Sequence, residues 1–91
     1  MAIGNLDVGI AKPLSATANV KSGQGAMLGV LCTSTTSGTL TFYDSATTTT
    51  TNPLTGTLTL TAGQYYPIPA TFADGLYVVL ANTATFTVFY V

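Results

Sequence analysis

Apolar and polar residues alternate along most of this chain with a period of two, and no window carries the 3.6-residue spacing of an amphipathic helix. Between Ala26 and Thr35 the alternation sets Leu28, Val30 and Cys32 on one face. Ser37-Gly38 reads as a tight turn into Thr39–Tyr43. There Leu40 and Phe42 point inward and Thr39 and Thr41 outward, so the two segments predict a hairpin. From Thr55 to Thr61, Leu58 and Leu60 face one way and threonines the other. Tyr65–Pro69 is extended. Its two prolines confine it to a sheet edge or a crossing, and Tyr65 and Tyr66 fall on opposite faces. Ser22–Gly25, Ala62–Gln64, Phe72–Gly75 and Ala81–Thr83 are turn signals. The segment from Asp44 to Pro53, with threonine at every position from 47 to 51, reads as an exposed loop.

The pattern predicts about seven or eight short strands in an all-β fold, a single antiparallel β-sandwich or jelly roll. Residues 1–14, broken by Gly4, Gly9 and Pro13, form an N-terminal arm or edge strand, and residues 15–91 the β-sandwich domain. The last hairpin is apolar on both faces. Leu76, Val78, Leu80, Phe86, Val88 and Tyr90 share one parity and are assigned to the core. Tyr77, Val79, Phe89 and Val91 share the other and need a separate cover. That cover is either the arm's Ile3, Leu6, Val8 and Ile10 or a neighbouring subunit. These eight residues are the candidate interface.

Composition narrows function mainly by exclusion. Only 5% of the 91 residues are charged, against about 25% in an ordinary soluble domain. The net charge is −1, yet hydrophobic residues reach 47% and mean hydropathy is +0.50. A chain this short buries roughly 60–65% of its unfolded surface, so part of that apolar surface is expected to meet another chain. Lys12 and Lys21 are the only basic residues, too few for a nucleic-acid or polybasic membrane contact. The N-terminus has no positive n-region and no apolar h-region, which predicts synthesis in a cytoplasm without an export signal.

Chemistry is scarce. Without histidine there is no Ser-His-Asp constellation, and one cysteine cannot build a zinc site. Cys32 lies in an apolar run and reads as a buried small hydrophobe. Asp7, Asp44 and Asp74 are isolated, and Asp44 and Asp74 sit where aspartate caps turns. The sequence therefore predicts no enzyme, no cofactor, no metal and no small-molecule substrate. The five tyrosines leave a carbohydrate-binding module as one alternative, although Tyr65 and Tyr66 cannot share a platform.

Three stretches carry a resemblance. Ser22 to Val30, the segment Gly38-Thr39-Leu40-Thr41-Phe42-Tyr43-Asp44, and the run from Tyr65 to Val79 together resemble small β-rich structural proteins of tailed bacteriophages. The likeness lies in strand pattern and turn wording over roughly residues 20–91, leaving the arm outside. It implies a virion structural protein on the capsid surface, a decoration or cement protein. Its partners would be the major capsid protein and copies of itself, as a trimer or dimer. A tail or head–tail junction component is the alternative. Removal of residues 1–13 is then expected to weaken lattice attachment and leave the fold intact.

Overall fold

A computed structural model describes residues 9–91, so Ile3, Leu6 and Val8 lie outside the described residues. The chain is all-β. It forms β1 (Ile10–Leu14), β2 (Ala18–Ser22), β3 (Gly25–Asp44), β4 (Leu58–Thr59), β5 (Tyr65–Phe72) and β6 (Gly75–Tyr90). All six join one antiparallel sheet.

Two strands dominate. β3 is 20 residues long and β6 is 16, and they pair from Met27↔Tyr90 to Asp44↔Leu76. Around one end of this ribbon the order is β5–β3–β6–β1; around the other it is β4–β3–β6–β2. Straight, β3 alone would extend about 66 Å at about 3.3 Å per residue. The longest dimension of the molecule is 37 Å, so the ribbon is bent.

The bend corrects the expected strand count. Ser37-Gly38 and Ala81–Thr83 are not hairpin turns; they lie inside β3 and β6, opposite each other. Ser37 and Asn82 adopt left-handed φ of 55° and 66°, and the register shifts between Thr36 and Ser37. One displaced residue bulges and turns the strand without reversing it. Asn82 Nδ2 donates to Ser37 O at 2.8 Å, and the hydroxyls of Ser34 and Thr85 lie 2.6 Å apart. The hairpin expected between residues 26–35 and 39–43 is therefore absent, because both segments pair with β6 instead. A second irregularity between Met27 and Gly29 changes which side chain faces inward. Met27 is fully buried where Leu28 was expected, and Leu28 is half-buried.

Both ends of the ribbon feed one core. Val30, Cys32, Phe86 and Val88 from one half cluster with Leu40, Phe42, Leu76 and Val78 from the other. The core parity read for β6 holds: Leu76, Val78, Phe86, Val88 and Tyr90 are buried and Leu80 packs against the cluster. The ribbon's two ends also meet. Gly23 N donates to Asp74 O at 2.8 Å, linking the β2–β3 and β5–β6 turns, and at the first of these ends Ala26 and Val91 extend the β3–β6 pairing by backbone bonds of 3.2 and 2.8 Å.

The prolines of β5 keep it at an edge, paired only with β3. β1 pairs with β6 from Ile10↔Tyr90 to Leu14↔Phe86, so a cut at residue 13 removes most of a sheet strand. The expectation that such a truncation spares the fold is accordingly revised. Deleting residues 1–14 should lower the urea midpoint. Phe42→Ala, at a fully buried ring, should cost about 3–5 kcal/mol in equilibrium unfolding. Asn82→Ala should lower stability more than Asn82→Gly, because glycine tolerates the positive φ.

Candidate functional site

The three large exposed apolar residues, Ile10, Tyr65 and Val91, all belong to the half built from β5, β3, β6 and β1, and Tyr65 lies on its outer face. Directly paired residues share a face, so Leu31 and Thr87 align with Tyr65 and Pro13, and Gly29 and Phe89 with Pro67 and Ala11. Tyr65 is 43% exposed and crosses Gly29, where a Cβ would collide with its hydroxyl and ring. The Tyr65 and Phe89 rings meet edge to face with centroids 6.0 Å apart. Such a pair contributes about 0.5–1.5 kcal/mol beyond its area. Tyr65 thus covers a bare stretch of backbone and still shows much of its ring to solvent.

The sequence-derived candidates divide. Phe89 and Val79 are half-buried, while Ile10 and Val91 are 57% and 46% exposed. Tyr77 is only 9% exposed; it packs beside Tyr43, with centroids 6.2 Å apart, and pairs with Asn19. Asn19 Nδ2 in turn donates to Ser45 O and Thr47 O at 3.0 and 3.1 Å, tying down the threonine-rich loop. The chain itself closes over Tyr77, which therefore offers almost no interface. Tyr65 was not among the candidates. Its alternation with Tyr66 carried the signal, since Tyr66 packs toward the core and its hydroxyl accepts from Thr61 N at 2.7 Å.

A second feature is a cleft of about 390 Å³ between the 45–52 loop and the 73–74 turn. Two of its polar groups, Ser45 and Asp44, already serve the fold. Ser45 Oγ accepts from Thr47 N and Thr49 N at 3.0 and 3.1 Å. The Asp44 carboxylate accepts from Ala73 N at 2.9 Å, Asp74 N at 2.8 Å and Gly75 N at 3.2 Å. Asp44 therefore caps a turn, though a turn 30 residues away and not its own. These backbone donors hold its carboxyl below the usual value of 3.8.

Among the described residues no three metal-ligating side chains come together. Cys32 is buried, and desolvation pushes its thiol above the usual value, away from the reactive thiolate. No family model, no curated protein and no solved structure matches the chain.

Asp44 has a testable pH signature. Because folding lowers its pKa, its contribution is complete well above 3.8 and declines as pH falls from that value through the lower folded one. Wild type should lose stability over that acid range. Asp44→Asn should be less stable at neutral pH and show a shallower acid limb in urea unfolding measured against pH. Separately, Tyr65→Ala should lower stability by about 1 kcal/mol through the lost ring pair.

Proposed function

We propose that this chain is a virion structural protein of a tailed bacteriophage, a capsid decoration or cement protein that works by protein–protein contact. The observation that carries the assembly role is the outer face around Tyr65, Phe89, Leu31 and Pro67, apolar and free of charged side chains. Val91, two residues beyond Phe89, adds exposed apolar surface; Ile10 is also exposed, but it pairs with Tyr90 and so lies on the opposite face. Lys12, Lys21, Asp44 and Asp74 are the only charged side chains among the described residues. With so little charge to keep copies apart, an aromatic patch favours association. The phage assignment rests on the resemblance in strand and turn wording.

We read the bent ribbon as a two-layer β-sandwich. Its halves share one core, its ends meet through the Gly23–Asp74 bond, and its thinnest dimension is 17 Å. Layers of such a sandwich stack about 10 Å apart. An apolar outer layer suits attachment to a symmetric shell, where many modest contacts accumulate. The partners on this reading are the major capsid protein and further copies of the chain, as a trimer or dimer.

A carbohydrate-binding reading has one observation in its favour: the exposed Tyr65 ring laid across Gly29, a surface on which a sugar could stack.

The deciding experiment is light scattering over a dilution series, followed by sedimentation with empty expanded heads of the encoding phage. An oligomer that pellets with heads is expected, and Phe89→Ser should reduce both effects. The contact should survive raised salt, because few charges are available to be screened. A monomer that ignores heads would overturn the decoration reading. Pelleting with tails would place the protein at the tail or head–tail junction. Glycan binding lost in Tyr65→Ala would select the carbohydrate reading.

A further inference from the structure

We infer that Asp44 guards the Asp74–Gly75 peptide bond against spontaneous isomerisation to isoaspartate. The hazard is intrinsic to this dipeptide. Gly75 N can attack Cγ of the Asp74 carboxyl once that group has taken a proton from solvent, forming a new N–C bond while the amide hydrogen and the carboxyl OH leave as one water. The product is a five-membered succinimide. Addition of one water then opens it at either carbonyl, restoring aspartate or diverting the main chain through the side-chain carbons. Glycine after aspartate makes the attack easiest, because no side chain crowds the nitrogen.

The fold cannot remove the hazard at position 75. A Cβ there would lie 2.5 Å from both Lys21 O and Ser45 O and 2.8 Å from Ala46 Cα. These contacts are backbone, so the position is held to glycine by packing. Asp74 itself is exposed in the turn, and water reaches it.

The chain instead restrains the reacting atoms. The amide hydrogen of Gly75 is held by Asp44 Oδ1 at 3.2 Å, and that of Asp74 by the same oxygen at 2.8 Å. Asp44 Oδ2 takes Ala73 N at 2.9 Å. On the acceptor side, Asp74 O receives Gly23 N at 2.8 Å and Gly75 O receives Ser45 N at 3.1 Å. The peptide planes on both sides of the Asp74 Cα are therefore fixed. Swinging Gly75 N onto Cγ requires rotation about that Cα and breaks several of these bonds together. The site matters because the turn joins the two ends of the bent ribbon. One extra main-chain carbon would displace Gly75 from Ser22 and Leu76 from Asp44.

The test follows isoaspartate at position 74 by enzymatic methyl labelling and peptide mass spectrometry during prolonged incubation at neutral pH. The samples are the full wild-type chain, Asp44→Ala, Asp44→Asn and a synthetic peptide spanning Ala70 to Val79. Wild type should accumulate isoaspartate many-fold more slowly than the peptide. Asp44→Ala should approach the peptide's rate while still unfolding cooperatively in urea. Asp44→Asn, which keeps one carbonyl acceptor, should fall between. Wild type reacting at the peptide's rate would overturn the inference. So would Asp44→Ala, folded, reacting no faster than wild type. If Asp44→Ala fails to fold, Asp44→Asn carries the comparison, and a rate equal to wild type in that folded variant overturns it.

Discussion

Everything in this fold depends on the antiparallel pairing of β3 with β6 and on its being bent in the middle. The pairing spans nearly the whole of both strands, and each of the other four strands attaches to one of these two. A ribbon of that length could not close a core if it were straight, because each half would expose the apolar face meant for the other. The left-handed residues Ser37 and Asn82 supply the bend where the strands oppose each other. Each carries a strained φ for a residue with a side chain. Their mutual contact, Asn82 Nδ2 to Ser37 O, converts two local irregularities into one joint.

A second joint closes the far ends, and the chain places one of its few charges there. Asp44 ends β3, yet its oxygens take three successive backbone donors from the turn that begins β6. A charged acceptor makes stronger bonds to backbone N–H groups than a neutral one. Lys21 Nζ reaches Val91 O at 3.2 Å close by. In a chain so poor in charge, both groups fasten the fold.

The sequence made some of this legible and concealed the rest for identifiable reasons. The period of two named the all-β antiparallel class, and the parity of β6 named its core side chains, because burial is set locally by alternation. The strand count failed because Ser-Gly and Ala-Asn-Thr are what both a hairpin turn and a bulge use. Only the pairing partner distinguishes them, and that partner lies some 45 residues away, as between Ser37 and Asn82. The bulge near Met27 likewise moved Leu28 off the core by one position, which alternation cannot register. Asp44 was legible as a turn cap but its turn was not. Tyr77 read as needing the arm or a neighbouring subunit for cover because the loop that Asn19 ties down beside it has no hydrophobic pattern of its own.

The same loop bears on function. A domain whose last strand, β6, carries apolar side chains on both faces has to cover the second face, and it does so unevenly. At the Tyr77 end Tyr43 packs beside the ring and Asn19 ties the threonine-rich loop down next to it, leaving Tyr77 only 9% exposed. At the Phe89 end the cover is a single ring, Tyr65, laid over bare backbone. Hydroxyl-bearing side chains elsewhere can satisfy one another, as Ser34 and Thr85 do, and so present water with a neutral, hydrated surface. Interfaces draw their energy from a few desolvated aromatic groups and little from polar rims. The thinly covered Phe89 end is therefore where this molecule has most to gain from a partner, and the sealed Tyr77 end is where it has least.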